Sequence, residues 1–436
     1  MAGYSKRKFA YAIFGIALFL ELAMQTFWRN QFGPYWSPAV WLIAGLSVAG
    51  AALWLFSGTN HAPALPAKAP MLPFWGQCLA IAVLFLACCT FVLFQIWPVF
   101  DEFPIDPLQS DVIPSMEIYV KRLLGGEKVY RTLHFPGWDV EPTYFTMNWL
   151  PYVVPELLKI DYRWLPLGIF YGMTGIFVGR MLWQRRPIGE VALKTVLPFG
   201  ALWLLIREDR HIFGHSVELT AVGFYLFLAL TLFHRRTWLM ALGIVPCLLS
   251  RYAFTFWLPA YFAMIWIAKG FGPAFRTGLY TLLGVVLLYI IPFWMKDPGI
   301  LTRGLDYYEK TAIGQWQTQP WQEPGQKPFH LNRGLSFSLV FFDYWPGALE
   351  DKIAAARKVQ FWVCLIAAAG MLIGFYFWKK RGLKPEHYGL VSLKAYLVLF
   401  YGFLHVPFSY LFLVPLFMSL PLLFEVGREK SNLPPG

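Results

Sequence analysis

Charge is scarce in this chain. Of 436 residues only 14% are Asp, Glu, Lys or Arg, where a soluble domain carries roughly a quarter. Acidic side chains are scarcer still, 25 against 37 basic ones. No stretch is polar enough to coat a separate water-soluble domain. Cysteine is also sparse: Cys78, Cys88, Cys89, Cys247 and Cys364 all fall inside apolar runs without metal-ligand spacing. That excludes a disulfide framework and a thiolate metal centre, and reads the five as small core residues. No Gly-rich loop opens a βα unit, which argues against a nucleotide-binding domain and so against a nucleotide-sugar transferase working inside the cell. There is no internal repeat, heptad run or low-complexity tract, and the Ala/Pro-rich 57–76 reads as a connector.

What remains is oil. Hydrophobic residues make up 57% of the chain and aromatics 19%, and apolar runs of about 17–25 residues, long enough to cross a hydrocarbon core of about 30 Å, recur along it. The spans fall at 9–27, 38–56, 77–98, 164–183, 191–206, 216–233, 237–250, 254–268, 277–295, 359–378, 395–407 and 409–424. The expected fold is all-α, a polytopic transmembrane bundle of about twelve spans. It divides into two N-terminal spans (1–76), a transmembrane core (77–295), a polar loop (296–358) and C-terminal spans (359–436). Lys6-Arg7-Lys8 precedes the first run with no small-residue cleavage site after it, so that run reads as an uncleaved span.

The formal charge of +12 would suggest nucleic acid in a soluble chain. Here the cations sit at the ends of apolar runs, the pattern of a cytoplasmic membrane face. Nucleic acid is therefore not an expected partner, whereas membrane lipids are. With Lys6, Arg7 and Lys8 inside, the same rule places Arg185-Arg186, Arg235-Arg236, Lys269, Arg276, Lys379-Lys380-Arg381 and Arg428 inside, and both termini cytoplasmic; a plasma (inner) membrane of bacterial type is the expected location. The count closes only if 143–160 does not cross the bilayer. Pro142, Pro151, Pro155 and the aromatics of that piece suit an interfacial helix. The polar segments 99–163, 207–215, 250–252 and 296–358 then share the outer face.

Within the first of these, Ser110–Tyr130 reads as an amphipathic helix. Val112, Met116, Tyr119 and Leu123 form a stripe widened by Ile113, Val120 and Leu124, Glu117 and Lys121 pair across one turn, and Gly125-Gly126 ends it. Ser110 and Asp111 stand at the N-cap, with Pro114 tolerated in the first turn. Asp111 either caps the helix or serves as a general base, the helix dipole favouring its ionised form.

Arg207, Arg210 and Arg251 lie at outer helix ends, the depth of a lipid phosphate; they either hold such a phosphate or snorkel and pair locally. His211 and His215, four apart, share a helix face without an evident acidic partner; a divalent cation is conceivable there, and neither a metal nor another cofactor is expected. In 296–358, Trp316, Trp321 and Trp345 accompany Gln315, Gln317, Gln319, Gln322 and the segment Lys327–Arg333 with His330. Flat rings beside amides suit a pyranose, and equally an interfacial belt. His405 reads as a polar anchor.

The order of these pieces resembles GT-C glycosyltransferases. Asp111 beyond a span, Tyr119, Leu123-Leu124-Gly125-Gly126, Val129-Tyr130 and the Tyr144–Pro155 stretch are similar to the family's first outer loop. FGHSVELTAVGFYLFLAL (213–230) resembles the "G-Q-x-N" helix start of the polyprenyl-phosphate-mannose-dependent branch, with His215 for glutamine. LSRYAFTFWLPAY (249–261) resembles its "K-x-x-x-x-x-x-P" signature, with Arg251 for lysine. The likeness covers residues 77–270. It implies a GT-C fold and an inverting transfer of a sugar, mannose favoured, from a polyprenyl-phosphate donor to a lipid or glycan acceptor outside the cytoplasm. Asp111 would be the base; by their position and chemistry the three arginines would hold donor phosphate, and Tyr119, His211, His215 and, beyond the likeness, Trp316, Trp321 and His330 would contact substrate. The rival class is a transporter or flippase, expected to carry ionisable groups near the bilayer midplane in Gly/Pro-broken helices; a scaffold for other glycan enzymes is a third.

Overall fold

The computed structural model describes residues 2–57 and 73–427. Most of the connector 57–76, Arg428 and the side chain of Lys6 lie outside the described residues. The chain runs α1 (Ala2–Gln25), α2 (Arg29–Ser57), α3 (Phe74–Glu102), α4 (Val112–Leu124), β1 (Leu133–Phe135), β2 (Trp138–Val140), α5 (Thr146–Trp149), α6 (Val153–Leu158), α7 (Trp164–Trp183), α8 (Ile188–Glu208) and α9 (Arg210–His215). It continues α10 (Leu219–Thr231), α11 (Thr237–Leu248), α12 (Trp257–Lys269), α13 (Phe271–Val285), α14 (Ile300–Gln315), α15 (Phe329–Arg333), α16 (Ser338–Tyr344), α17 (Leu349–Lys380), α18 (Pro385–Gly402), α19 (Leu413–Phe417) and α20 (Ser419–Glu425).

Every expected span contains helix, and among the described residues seven helices are long and apolar enough to cross a membrane: α1, α2, α3, α7, α8, α13 with its π turn to Ile290, and α17. The protein is an integral membrane helical bundle. α10 and α11 are shorter, with 13 and 12 residues, so α10 reaches only ~20 Å at 1.5 Å per residue. A helix that is apolar all round must be buried, and α10 is enclosed along almost its whole length. α3 and α17 form the outside, with rings such as Trp75, Phe94, Trp362 and Phe377 exposed, as expected of surfaces whose solvent is lipid.

Contacts sort the helix termini into two ends. At one end Arg180 pairs with Glu425 at 3.2 Å and Lys269 with Glu386 at 2.9 Å, Lys194 donates to the Val426 carbonyl at 2.5 Å, and Lys379 donates to the Ile267 carbonyl at 2.6 Å. At the other, the buried Arg163 guanidinium donates to the carbonyls of Phe100, Phe103 and Gly214 and is braced by Asp161. Asn148 there donates to the Ser250 carbonyl at 2.7 Å. The Tyr252 and Tyr308 hydroxyls meet there at 3.1 Å, so 99–163, 207–215, 250–252 and 296–358 share one end, opposite Arg180, Lys194, Lys269 and Lys379.

Four expectations need correction. The first polar segment carries a two-stranded antiparallel hairpin, Leu133 opposite Val140, around Pro136-Gly137, because Gly137 supplies the positive φ of 96° that the turn needs. The piece 143–160, expected as one interfacial helix, is broken into α5, a 3-10 turn and α6, none of them long enough to cross a membrane. Residues 296–358 are not an open loop: α14, α15 and α16 occupy them, and α17 starts at Leu349. Ionisable residues are also not confined to one end. Glu21 and Lys394, both fully buried, pair in the bundle core, where Ser419 Oγ donates to Glu21 at 2.8 Å and Lys394 donates to the Pro415 carbonyl at 2.6 Å.

Candidate functional site

α4 starts and stops where the sequence places it. Ile113, Met116, Tyr119 and Val120 are buried, Glu117 and Lys121 pair at 3.3 Å, and Gly125 closes the last turn on the Lys121 carbonyl at 2.9 Å. Leu124, expected in the stripe, is exposed, since the buried face is centred on Met116 and Tyr119. Asp111 occupies the N-cap position, yet its side chain makes no cap hydrogen bond. Ser110 does the local work instead: its Oγ accepts from the Val112 amide at 3.4 Å and donates to the His215 carbonyl at 3.3 Å.

Burial holds the Asp111 carboxyl above the usual carboxylate range, against a backbone hydrogen bond that pulls the other way. Desolvation therefore outweighs that hydrogen bond, whereas the sequence reading has the ionised form favoured. The carboxyl is close enough for its charge to act on the phenols of Tyr119, Tyr144, Tyr307 and Tyr410. Tyr144 and Tyr410 belong to the wall of a cavity of about 20 Å³ that also touches Val112, Asn148, Ser216, Glu218 and Arg251. That volume admits a water molecule but no sugar, so a larger ligand must displace side chains.

The centre of this wall is an ion pair. Arg251 Nε donates to Glu218 Oε1 at 3.2 Å and Nη2 donates to Oε2, with Glu218 only 3% exposed. Arg251 Nη1 has no hydrogen-bond partner among the described residues and is not enclosed. A guanidinium has five donors in a fixed fork, so a side-on grip by Glu218 fixes its plane and leaves the remaining fork for an anion. Three buried phenol oxygens nearby, on Tyr119, Tyr225 and Tyr401, have no partner either, and the Arg251 charge acts on the last two. Buried hydroxyls are normally satisfied, yet these phenols do not line the cavity. Glu218 also walls a second, smaller cavity of about 10 Å³ with Arg163, Phe100 and Leu413.

The other sequence candidates disperse. Arg207 is exposed, 3.9 Å from Glu208, and Arg210 pairs with Glu102 at 2.6 Å; neither lines the cavity. His211 and His215 stack with centroids 5.8 Å apart and bracket Phe103 at 4.6 and 5.1 Å. Gly214 permits this, since a Cβ there would lie 2.6 Å from Phe103. Burial, with His211 and Arg163 adding to it, keeps His215 below its usual pKa. Among the described residues no group of three or more His, Cys, Asp or Glu comes together as a metal site. Tyr119 is sealed among Tyr130, Tyr144 and Trp149.

Trp316 is fully buried, its indole donating to the His405 carbonyl at 2.8 Å, so its faces belong to the local core of α14 and α17. Trp321 is exposed beside Phe329. His330 packs on Phe408 at 4.6 Å, burial and the nearby Arg333 lowering its pKa to about 4. Sequence reasoning missed Glu218, Asn148 and Tyr410. For Glu218 a signal existed, a lone carboxylate at the head of an apolar run; its pairing with Arg251, 33 residues on, had none.

No family model matches the chain, and no curated protein or solved structure matches it either.

Proposed function

We propose that the protein is a membrane glycosyltransferase of GT-C type that moves a sugar, mannose favoured, from a polyprenyl-phosphate donor to a lipid or glycan hydroxyl. One observation carries the reading: an uncapped, half-buried Asp111 stands beside the same cavity as an arginine with unspent donors, at the end of the bundle opposite its basic turns. By the positive-inside pattern that end faces away from the cytoplasm. The acceptor hydroxyl gives its proton to Asp111 as its oxygen bonds the anomeric carbon, and the carbon–oxygen bond to phosphate breaks on the opposite side. The departing phosphate oxygen takes the electron pair, with Arg251 Nη1 beside it. A carboxyl held above its ordinary pKa is a stronger base than an exposed one, which suits proton removal from an alcohol.

The test is transfer from a purified polyprenyl-phosphate sugar by Asp111→Asn protein. Turnover is expected to fall by about a hundred- to ten-thousand-fold, with donor binding and folding kept. Near-normal turnover in a folded variant would sink the reading.

Glu21–Lys394 favours a second reading, a transporter, because buried intramembrane charges often line substrate paths. Against it, neither cavity described above includes either residue, and both side chains are engaged by protein groups.

A further inference from the structure

We infer that Glu218 is a release device: by holding a negative charge against Arg251 it makes the anion site discriminate against the doubly charged product of transfer. The inference rests on the glycosyl-transfer reading above. The donor is a phosphodiester with a single negative charge. Transfer breaks the sugar carbon–oxygen bond, the phosphate keeps the electron pair, and the proton stays with Asp111, so the lipid leaves as a monoester of about −1.5 to −2 near pH 7.

An arginine alone would hold that product more tightly than the substrate, and turnover would stall on release. Glu218 prevents this through geometry. Its two oxygens take Nε and Nη2 of Arg251, its side chain is nearly sealed from solvent, and it shares the cavity wall with Arg251, Ser216 and Asn148. A phosphate on Nη1 is therefore held by one cation across the guanidinium from the carboxylate that cation is paired with. The repulsion grows with the charge on the phosphate, and in a poorly screened site it grows steeply. The same grip aims the guanidinium plane, so Glu218 is a positioning residue as well.

The test titrates the purified full-length protein with farnesyl phosphate, a monoester, and with its methyl diester, which keeps one charge at every pH used. In wild-type protein the monoester-to-diester affinity ratio is expected to stay flat or fall as pH rises from about 5.5 to about 8, the range over which the monoester takes its second charge. In Glu218→Gln the ratio at about pH 8 is expected to rise by about tenfold or more, and Glu218→Asp should keep the wild-type ratio. A tenfold rise with pH in wild type, or equal shifts for both probes in Glu218→Gln, overturns the inference. The wild-type measurement decides alone if the Gln variant does not fold. A neutral double variant, Glu218→Gln with Arg251→Gln, separates the two claims. If it binds both probes like wild type, the phosphate does not sit on Arg251 and the reading underneath fails. If it loses both while Glu218→Gln shows no discrimination, only the release device fails.

Discussion

Among the ion pairs of this bundle, Glu21–Lys394 and Glu218–Arg251 are built to opposite ends. In Glu21–Lys394 both side chains are wholly enclosed, the ammonium also meets the Pro415 carbonyl, and the carboxylate also meets Ser419. In Glu218–Arg251 the carboxylate is enclosed but the arginine side chain is one-fifth exposed, walls a cavity and has one nitrogen unspent. Burying charge is costly unless it is paired and hydrogen-bonded. The first pair meets that demand completely and ties α1 to α18 and α20. The second meets it incompletely, at a cavity that Asp111 stands beside. Incomplete satisfaction at one pair and closure at the other separates a site from a strut.

The largest effect should come from breaking the strut. Lys394→Met leaves Glu21 charged or protonated in the core without its partner, which costs about 3–5 kcal/mol. Thermal unfolding in detergent should show a large loss. The double change Glu21→Met with Lys394→Met should recover most of it, since apolar replacement of a buried pair is often neutral. A double variant as unstable as the single one, or a single variant of normal stability that fails only in transfer, would give the core pair a functional role and blur the contrast.

A smaller effect is expected at the open pair. Arg251→Lys keeps a cation for Glu218 but surrenders the planar fork that serves two partners at once. Folding should survive, while donor affinity falls by the worth of a charge-assisted hydrogen bond, about 1.5–3 kcal/mol. Binding of a polyprenyl-phosphate sugar to the purified variant measures it. Unchanged affinity would mean that the fork is not used, and Arg251 would then be a second strut.

The contrast also explains what the sequence could disclose. α4 was legible because its apolar period, Glu117–Lys121 and Gly125-Gly126 are local signals. That 143–160 holds no helix long enough to cross was legible from its prolines. α14 was not, because ILTRGLDYYEKTAIGQ is too polar to register as a span, although it is one continuous helix. Trp316 was read as a sugar platform because sequence shows a ring but not what covers it; α17 and the His405 turn do. Glu218 was invisible as half of a site because its meaning depends on Arg251 across a helix boundary. Local periodicity reaches through the fold, and the site is made of tertiary pairings.

The smallest expected effect bears on Asp111 and separates a base from a cap by stability alone. Its carboxyl is held above the ordinary range mainly by burial. A group whose folded pKa is raised adds stability below its unfolded pKa, and loses that contribution as pH rises through the folded value. Ionised Asp111 thus costs the fold a little at neutral pH, while the proposed transfer requires the ionised form. Activity should fall as pH drops through the raised value, and stability credited to this residue should move the opposite way. Asp111→Asn removes the charge and keeps the shape, so its melting temperature should exceed the wild-type one at neutral pH, with the gap closing as pH falls through that window. A helix cap predicts no such gap, because asparagine caps about as well as aspartate. Equal melting temperatures at every pH, or a lower one for Asp111→Asn at neutral pH, would remove the strain from Asp111 and with it the case for a base poised by burial.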